Sequence, residues 1–321
     1  MNHKRSQRGF TLIELMITLG LSAFMVLGVM SLFSSVSRTY NMVYNMSRAQ
    51  ENARFSLTFL SQDLHQAGYY GYLGNNTMVS SPDPMPSNNG PECDKDWVQS
   101  LSPLLYGFDQ TQYVADDPFL DCILENDYRS DMLVIRHTDE DTTDFADLID
   151  HTESGTGIGY DYLYSTFTTG KMFREGEDAT ETTPAGGDYF ELSTLVWFVK
   201  DNPAGNPALY RYDTSSRVAT EMVEGVELFQ ISLGDRSGDG TFITDYYDPA
   251  NVPFWDDVLA VKVDILVRSI DIDSSYASNG ICKDAVRSYQ LGNYEYAPLD
   301  SYPNCYRRRF FTTIVQMRNP T

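Results

Sequence analysis

The chain has 321 residues, enough for one large or two modest domains. Asp and Glu number 45 against 23 Lys and Arg, a net charge of -22. Binding to nucleic-acid phosphates rests on Lys and Arg, so no nucleic-acid partner is expected. A solvated, extracytoplasmic surface is the simpler reading of so acidic a chain.

The first nine residues carry Lys4, Arg5 and Arg8 and no acid. From Leu15 to Phe33 the chain has no charge and is mostly Leu, Met, Val and Phe. About 20 apolar residues span a bilayer. The basic start places the N-terminus in the cytoplasm and the rest of the chain outside the inner membrane. Glu14 sits at the edge of this run. A carboxylate in an apolar segment costs roughly 2.5–3.5 kcal/mol, which makes it a functional-site hypothesis by default. A discarded secretory signal would end in a small-residue cleavage site, and no A-x-A pattern follows Phe33.

The apolar run meets no helix breaker. Residues 34–67 contain neither Gly nor Pro. Val36, Tyr40, Val43, Met46, Ala53, Leu57, Leu60, Leu64 and Ala67 recur at helical spacing, with Arg38, Arg48, Glu51 and Asp63 read onto the polar face. Gly68 is the natural stop. One helix from Phe10 to Ala67 would hold roughly 58 residues and measure about 87 Å. Its membrane half spans 10–33 and its amphipathic half 34–67. Gly20 and Gly28 in the first half allow close helix contact. His65 reads as a partly exposed helix residue.

Residues 68–321 form the head. Pro82, Pro84, Pro86, Asn88-Asn89-Gly90 and Pro91 mark a long loop region up to Tyr128. Strands are predicted from Asp131 on: Met132–Ile135, Tyr189–Lys200, Ala208–Tyr212, Met222–Leu233, Val258–Ile270 and Tyr306–Met317. Asp201–Asn206 is a turn cluster that makes a hairpin of the second and third. Thr138–Asp150 is acidic and reads as a solvated loop or short helix. A helix followed by an antiparallel sheet is an α+β pattern, with the amphipathic half of the helix packed on the sheet.

Cys93, Cys122, Cys282 and Cys305 form no CxxC, and His65, His137 and His151 are scattered, so a zinc site has little support. An even cysteine count outside the cytoplasm points to disulfides. Of three pairings the sequence-local one, Cys93–Cys122 with Cys282–Cys305, closes loops of about 30 residues or fewer, each contributing roughly 3–4 kcal/mol. No catalytic motif occurs, so an enzyme is not expected. One loop has calcium-like spacing. Asp235, Ser237, Asp239 and Thr241 alternate, Gly240 supplies the bend, and Asp245 would close the shell. Position twelve is Tyr246 rather than a glutamate, and the alternative is a polar hairpin connection. Arg307-Arg308-Arg309 reads as a surface patch paired with nearby carboxylates, with a docking surface for another subunit as the alternative.

Gly9-Phe10-Thr11-Leu12-Ile13-Glu14-Leu15 resembles the class III signal of type IV prepilins. Three further stretches resemble PilW-type minor pilins: Arg54 to Tyr69, ending in Asp63 and then Ala67-Gly68-Tyr69; Gly225 to Leu233 with the Asp/Gly-rich loop after it; and Trp255 to Ser269 with Tyr306 to Asn319. The resemblance is weak between Leu73 and Leu192. It implies a pilin-like fold, cleavage between Gly9 and Phe10 by a prepilin peptidase, and N-methylation of Phe10. It also implies a structural role, joining other minor pilins and the major pilin in a complex that primes pilus assembly and sits at the tip. Glu14, answering the positive amine of Phe10, would register one subunit against the next. Two alternatives share this architecture. One is a J-like pseudopilin of a type II secretion system, and the other is a tip adhesin whose divergent 69–188 region binds a ligand.

Overall fold

The computed structural model describes residues 10–74, 79–80, 101, 103–110, 130–143, 162–173, 186–213, 216, 218–236, 242–273, 276–301 and 304–318. Helix α1 runs unbroken over Leu12–Gln66, 55 residues. Gly68, at φ 74°, ends it in a backbone region that costs glycine little. Its N–H donates to Arg136 O at 2.9 Å, which fastens the helix end to the sheet.

The chain divides into two compact units, Met1–Ser47 and Arg48–Thr321. In the first, α1 carries exposed apolar side chains from Leu12 through Tyr44. It contains a window of mean hydropathy 2.2, and its length and composition suffice to cross a membrane. In the second, the helix buries Ala49, Ala53, Ser56, Leu60, Leu64 and Ala67. Those positions recur every three or four residues, so they form one face. Four of the six are small, and the face shares one apolar cluster with residues of both sheets. Asp63 departs from the expected polar face. It is only 6% exposed, takes a hydrogen bond from Trp197 Nε1 at 2.9 Å and pairs with Arg211 at 3.5 Å. Burial pushes its carboxyl above the ordinary range, against the opposing pull of Arg211 and Trp197.

Eight strands make the first sheet: β1 (Val79–Ser80), β2 (Leu105–Phe108), β3 (Met132–Thr143), β4 (Tyr162–Ser165), β5 (Gly170–Phe173), β6 (Asp188–Asp201), β7 (Pro207–Asp213) and β8 (Val218–Glu224). The second sheet contains β9 (Val226–Arg236), β10 (Ile243–Tyr247) and β11 (Val258–Arg268). Two small hairpins follow, β12 (Ala277–Ser278) with β13 (Ile281–Cys282) and β14 (Tyr289–Leu291) with β15 (Tyr294–Tyr296), and β16 (Arg308–Gln316) completes the second sheet. β6 is the spine of the first sheet. β3 lies along one edge, and β4 and β7 share the other. The second sheet runs β10-β9-β11-β16, all antiparallel. Among the described residues every strand pairing is antiparallel except β1 with β5. The α+β reading therefore holds, with one core drawing on α1, both sheets and Met317.

Three strand expectations change. Met222–Leu233 is two strands, because Gly225 adopts φ 88° between β8 and β9. Its N–H donates to Pro207 O at 2.7 Å and its carbonyl accepts from Arg268 N at 2.8 Å, so the chain crosses from one sheet to the other there. A Cβ at this site would meet Arg268 O at 3.0 Å. The acidic stretch after Thr138 is strand as far as Thr143. The long partner β6 extends the ladder, and an irregularity between Thr138 and Thr142 absorbs the charged residues. Residues 144–150 lie outside the described residues. β2 precedes the expected first strand, because Leu105–Phe108 finds Met132–Ile135 as its partner.

Ser130 and Asp131 clip the sheets together. Phe229 N donates to Ser130 Oγ at 2.9 Å, and Ile231 N to Asp131 Oδ2 at 2.9 Å. Asp131 also accepts from Gln110 N at 3.1 Å. Burial raises its carboxyl to about 7 despite these two N–H donors. Folding therefore favours the protonated form, a contribution that is full below about pH 4 and lost as the pH rises through about 7. Asp131→Asn removes this titration. Its melting temperature should lie furthest below that of the native protein near pH 4, with the gap narrowing towards pH 8. A gap that does not change between those pH values contradicts the assignment.

Candidate functional site

The N-terminal site is built by the first turn of α1. Thr11 precedes the helix, and Glu14 lies three residues on. Thr11 N donates to Glu14 Oε2 at 2.9 Å, Thr11 Oγ1 donates to the same oxygen at 2.9 Å, and Glu14 N donates to Thr11 Oγ1 at 3.3 Å. This is a capping box, in which two N–H groups left over by the helix start are satisfied reciprocally. The Thr-x-x-Glu spacing is a local signal for it, and Thr11 is the functional residue that reading Glu14 alone leaves out. The carboxylate is thus held at the helix start by its own chain. It keeps acceptor capacity beyond the two hydrogen bonds it receives, because a carboxylate offers about four lone-pair sites. Phe10 is exposed beside it, and Gly9 lies outside the described residues.

The second site is the C-terminal loop between β11 and β16. Cys282 and Cys305 are joined in a disulfide across a separation of 23 residues. This is one of the two predicted pairs; Cys93 and Cys122 lie outside the described residues. In the chain-entropy account such a loop contributes about 3 kcal/mol. The arginine island sits beside it and is not a surface patch. The Arg308 side chain is 1% exposed. Its Nε and Nη2 reach Glu227, the latter at 2.8 Å, and Nη1 and Nη2 each reach Asp300 at 2.7 Å. Burial works against its charge, yet the hydrogen bonds to Asp300 and Glu227 hold the guanidinium above its ordinary pKa. Tyr296 OH also donates to Glu227, at 3.1 Å. Arg307 pairs with Asp273 at 2.8 Å and lies 4.0 Å from the centre of the Tyr276 ring. Arg309 alone of the three is exposed.

The calcium-like loop is described only at its ends. Asp235 and Asp245 stand opposite each other on β9 and β10. Burial is the first cause of a raised Asp235 carboxyl, with Asp257 and Asp245 adding to it. Ser237, Asp239 and Thr241 lie outside the described residues. Among the described residues no group of three or more His, Cys, Asp or Glu side chains could hold a metal ion.

Residues 196–319 match the family model of type IV pilus-assembly protein W. Residues 4–30 match the prokaryotic N-terminal methylation motif. No curated protein matches the chain. A solved type IV-like pilin from Thermus thermophilus resembles it at 12% identity and a TM-score of 0.35, over 85% of this chain and 99% of that one. The methylation motif and the apolar helix that follows it define a type IV pilin-like protein. Residues 196–319 add a W-type pilus-assembly domain in the head, which marks the chain as a structural subunit related to the pilus.

The arginine clasp makes a quantitative demand. Arg308→Ala would leave the buried Asp300 carboxylate without its cation and Glu227 with only Arg268, at 4.0 Å. Denaturant unfolding should then show a loss of about 3–5 kcal/mol, the cost of breaking a buried pair from one side. A loss below about 1 kcal/mol contradicts the clasp, since that is the range of exposed pairs.

Proposed function

We propose that this chain is made as an inner-membrane prepilin with its N-terminus in the cytoplasm. A prepilin peptidase cuts between Gly9 and Phe10, and the new Phe10 amine is methylated. The subunit then joins other minor pilins and the major pilin in the complex that primes type IV pilus assembly, and remains at the pilus tip. The observation that carries this reading is the capping box, a carboxylate fixed at the helix start one turn from the new amine. The W-type domain in the head favours the pilus over a type II secretion pseudopilus.

The physics of registration follows from the cost of charge in an apolar setting. The Phe10 amine and Glu14 both enter the membrane region. Thr11 offsets part of the cost of Glu14 before any partner arrives. A neighbouring subunit that offers an amine to the remaining carboxylate lone pairs lowers the energy at one axial position only. Apolar packing along α1 has no such preference, so the charge pair sets the register.

Glu14→Ala should leave membrane insertion and leader removal intact and reduce incorporation into sheared pili at least tenfold, read by immunoblot of the pilus fraction. Normal incorporation of that variant would sink the registration role.

A further inference from the structure

We infer that the outer edge of β16 receives an acidic, extended segment of another pilus subunit as an added β-strand. This rests on the reading of the chain as a pilus subunit and names a surface that the reading does not.

The edge is open in a specific way. Among the described residues β16 pairs with β11 alone, over nine residues with no register shift. Ser269 N donates to Arg307 O at 2.8 Å and Met317 N to Leu259 O at 2.9 Å. The odd-numbered residues therefore turn their backbone groups to β11, and the even-numbered ones turn theirs outward. Arg308 N, the first outward N–H, is capped by Asp284 Oδ2 at 2.9 Å. Phe310, Thr312, Ile314 and Gln316 follow with outward N–H and C=O groups. Phe310 is 40% exposed and Ile314 57% exposed on the same face.

Other sheet edges are blunted. β10 has five residues, an irregular register and Asp245. β8 is irregular in its pairing with β7 and carries Glu221 and Glu224. β1 and β2 are two and four residues long. A long, regular, apolar edge is an aggregation hazard that native proteins avoid unless something pairs with it. β16 has no proline, no bulge and no lysine.

Charge chooses the occupant. Tyr306–Arg318 contains four arginines and no acid, in a chain of 45 acidic residues. Arg309 and Arg318 are exposed at the two ends of the edge and form no ion pair with another described residue. Antiparallel pairing of two β16 strands would set Arg309 of one copy near Arg318 of the next, so like charges oppose a homodimer. An incoming strand with Asp or Glu at its ends and apolar side chains over Phe310 and Ile314 satisfies both features. Main-chain hydrogen bonds would supply affinity and the side chains selectivity.

The test places benzoylphenylalanine at position 314 of the full-length chain, in cells that assemble the pilus, and maps the photo-adduct by mass spectrometry. The expected adduct is an Asp- or Glu-containing extended segment of another pilin-like subunit. Thr312→Pro removes one outward N–H and leaves the β11 ladder whole, a position where an edge strand tolerates proline. It should cut the adduct at least tenfold with the melting temperature unchanged. An adduct unaffected by Thr312→Pro, an adduct between two copies of this chain, or no adduct overturns the inference. If Thr312→Pro instead lowers the melting temperature, Arg309→Glu with Arg318→Glu decides the matter through the same adduct: a tenfold loss supports the edge, and no loss overturns it. The Glu14 variant judges the pilus reading separately, since it leaves this edge untouched.

Discussion

A single helix that must satisfy two solvents is the constraint on which the protein depends. Over its first unit α1 presents Leu, Met, Val and Phe on all sides, as a helix in lipid does. Over its second unit the same backbone narrows its apolar surface to one face of Ala49, Ala53, Ser56, Leu60, Leu64 and Ala67. The Asn52 amide donates to Glu224 O at 2.8 Å beside the crossover at Gly225, tying the helix to the point where the chain changes sheets.

The head resolves a second problem, how to keep a long C-terminal loop in place on an antiparallel sheet. Arg308 on β16 reaches Glu227 on β9 and Asp300 in the loop at once, and the Cys282–Cys305 bond closes the same segment. Arg268, 4.1 Å from the centre of the Tyr306 ring, adds to the same corner. The clasp orders one end of β16 and so fixes where its outer edge begins. A structural subunit needs surfaces held in defined places more than it needs a reactive centre, and these contacts hold them.

Features set by local periodicity were legible in the chain itself. The helix and its stop at Gly68, the β6–β7 hairpin and the alternating β11 all follow from patterns within a few residues of one another, and the Cys282–Cys305 pair follows from preferring the sequence-local pairing across 23 positions. What escaped depends on partners far along the chain. Asp63 is buried because Trp197, 134 positions away, donates to it. Arg308 is buried because Glu227, 81 positions away, receives it. Neither charge differs in sequence from an exposed one. The break at Gly225 is hidden for another reason: glycine in an apolar run reads as strand until a positive φ is seen. The Thr11–Glu14 box has a local signature, but its apolar surroundings draw the eye to the cost of Glu14 rather than to the residue that offsets it.

We propose that the start of α1 is made by cleavage between Gly9 and Phe10 and carried into a fibre. Intact-mass measurement of this subunit from sheared, washed pili tests it most directly. The expected mass is that of a chain beginning at Phe10 with one added methyl group and with Cys282 and Cys305 disulfide-linked. A subunit that retains residues 1–9, or one absent from the pilus fraction while present in the membrane, would contradict it.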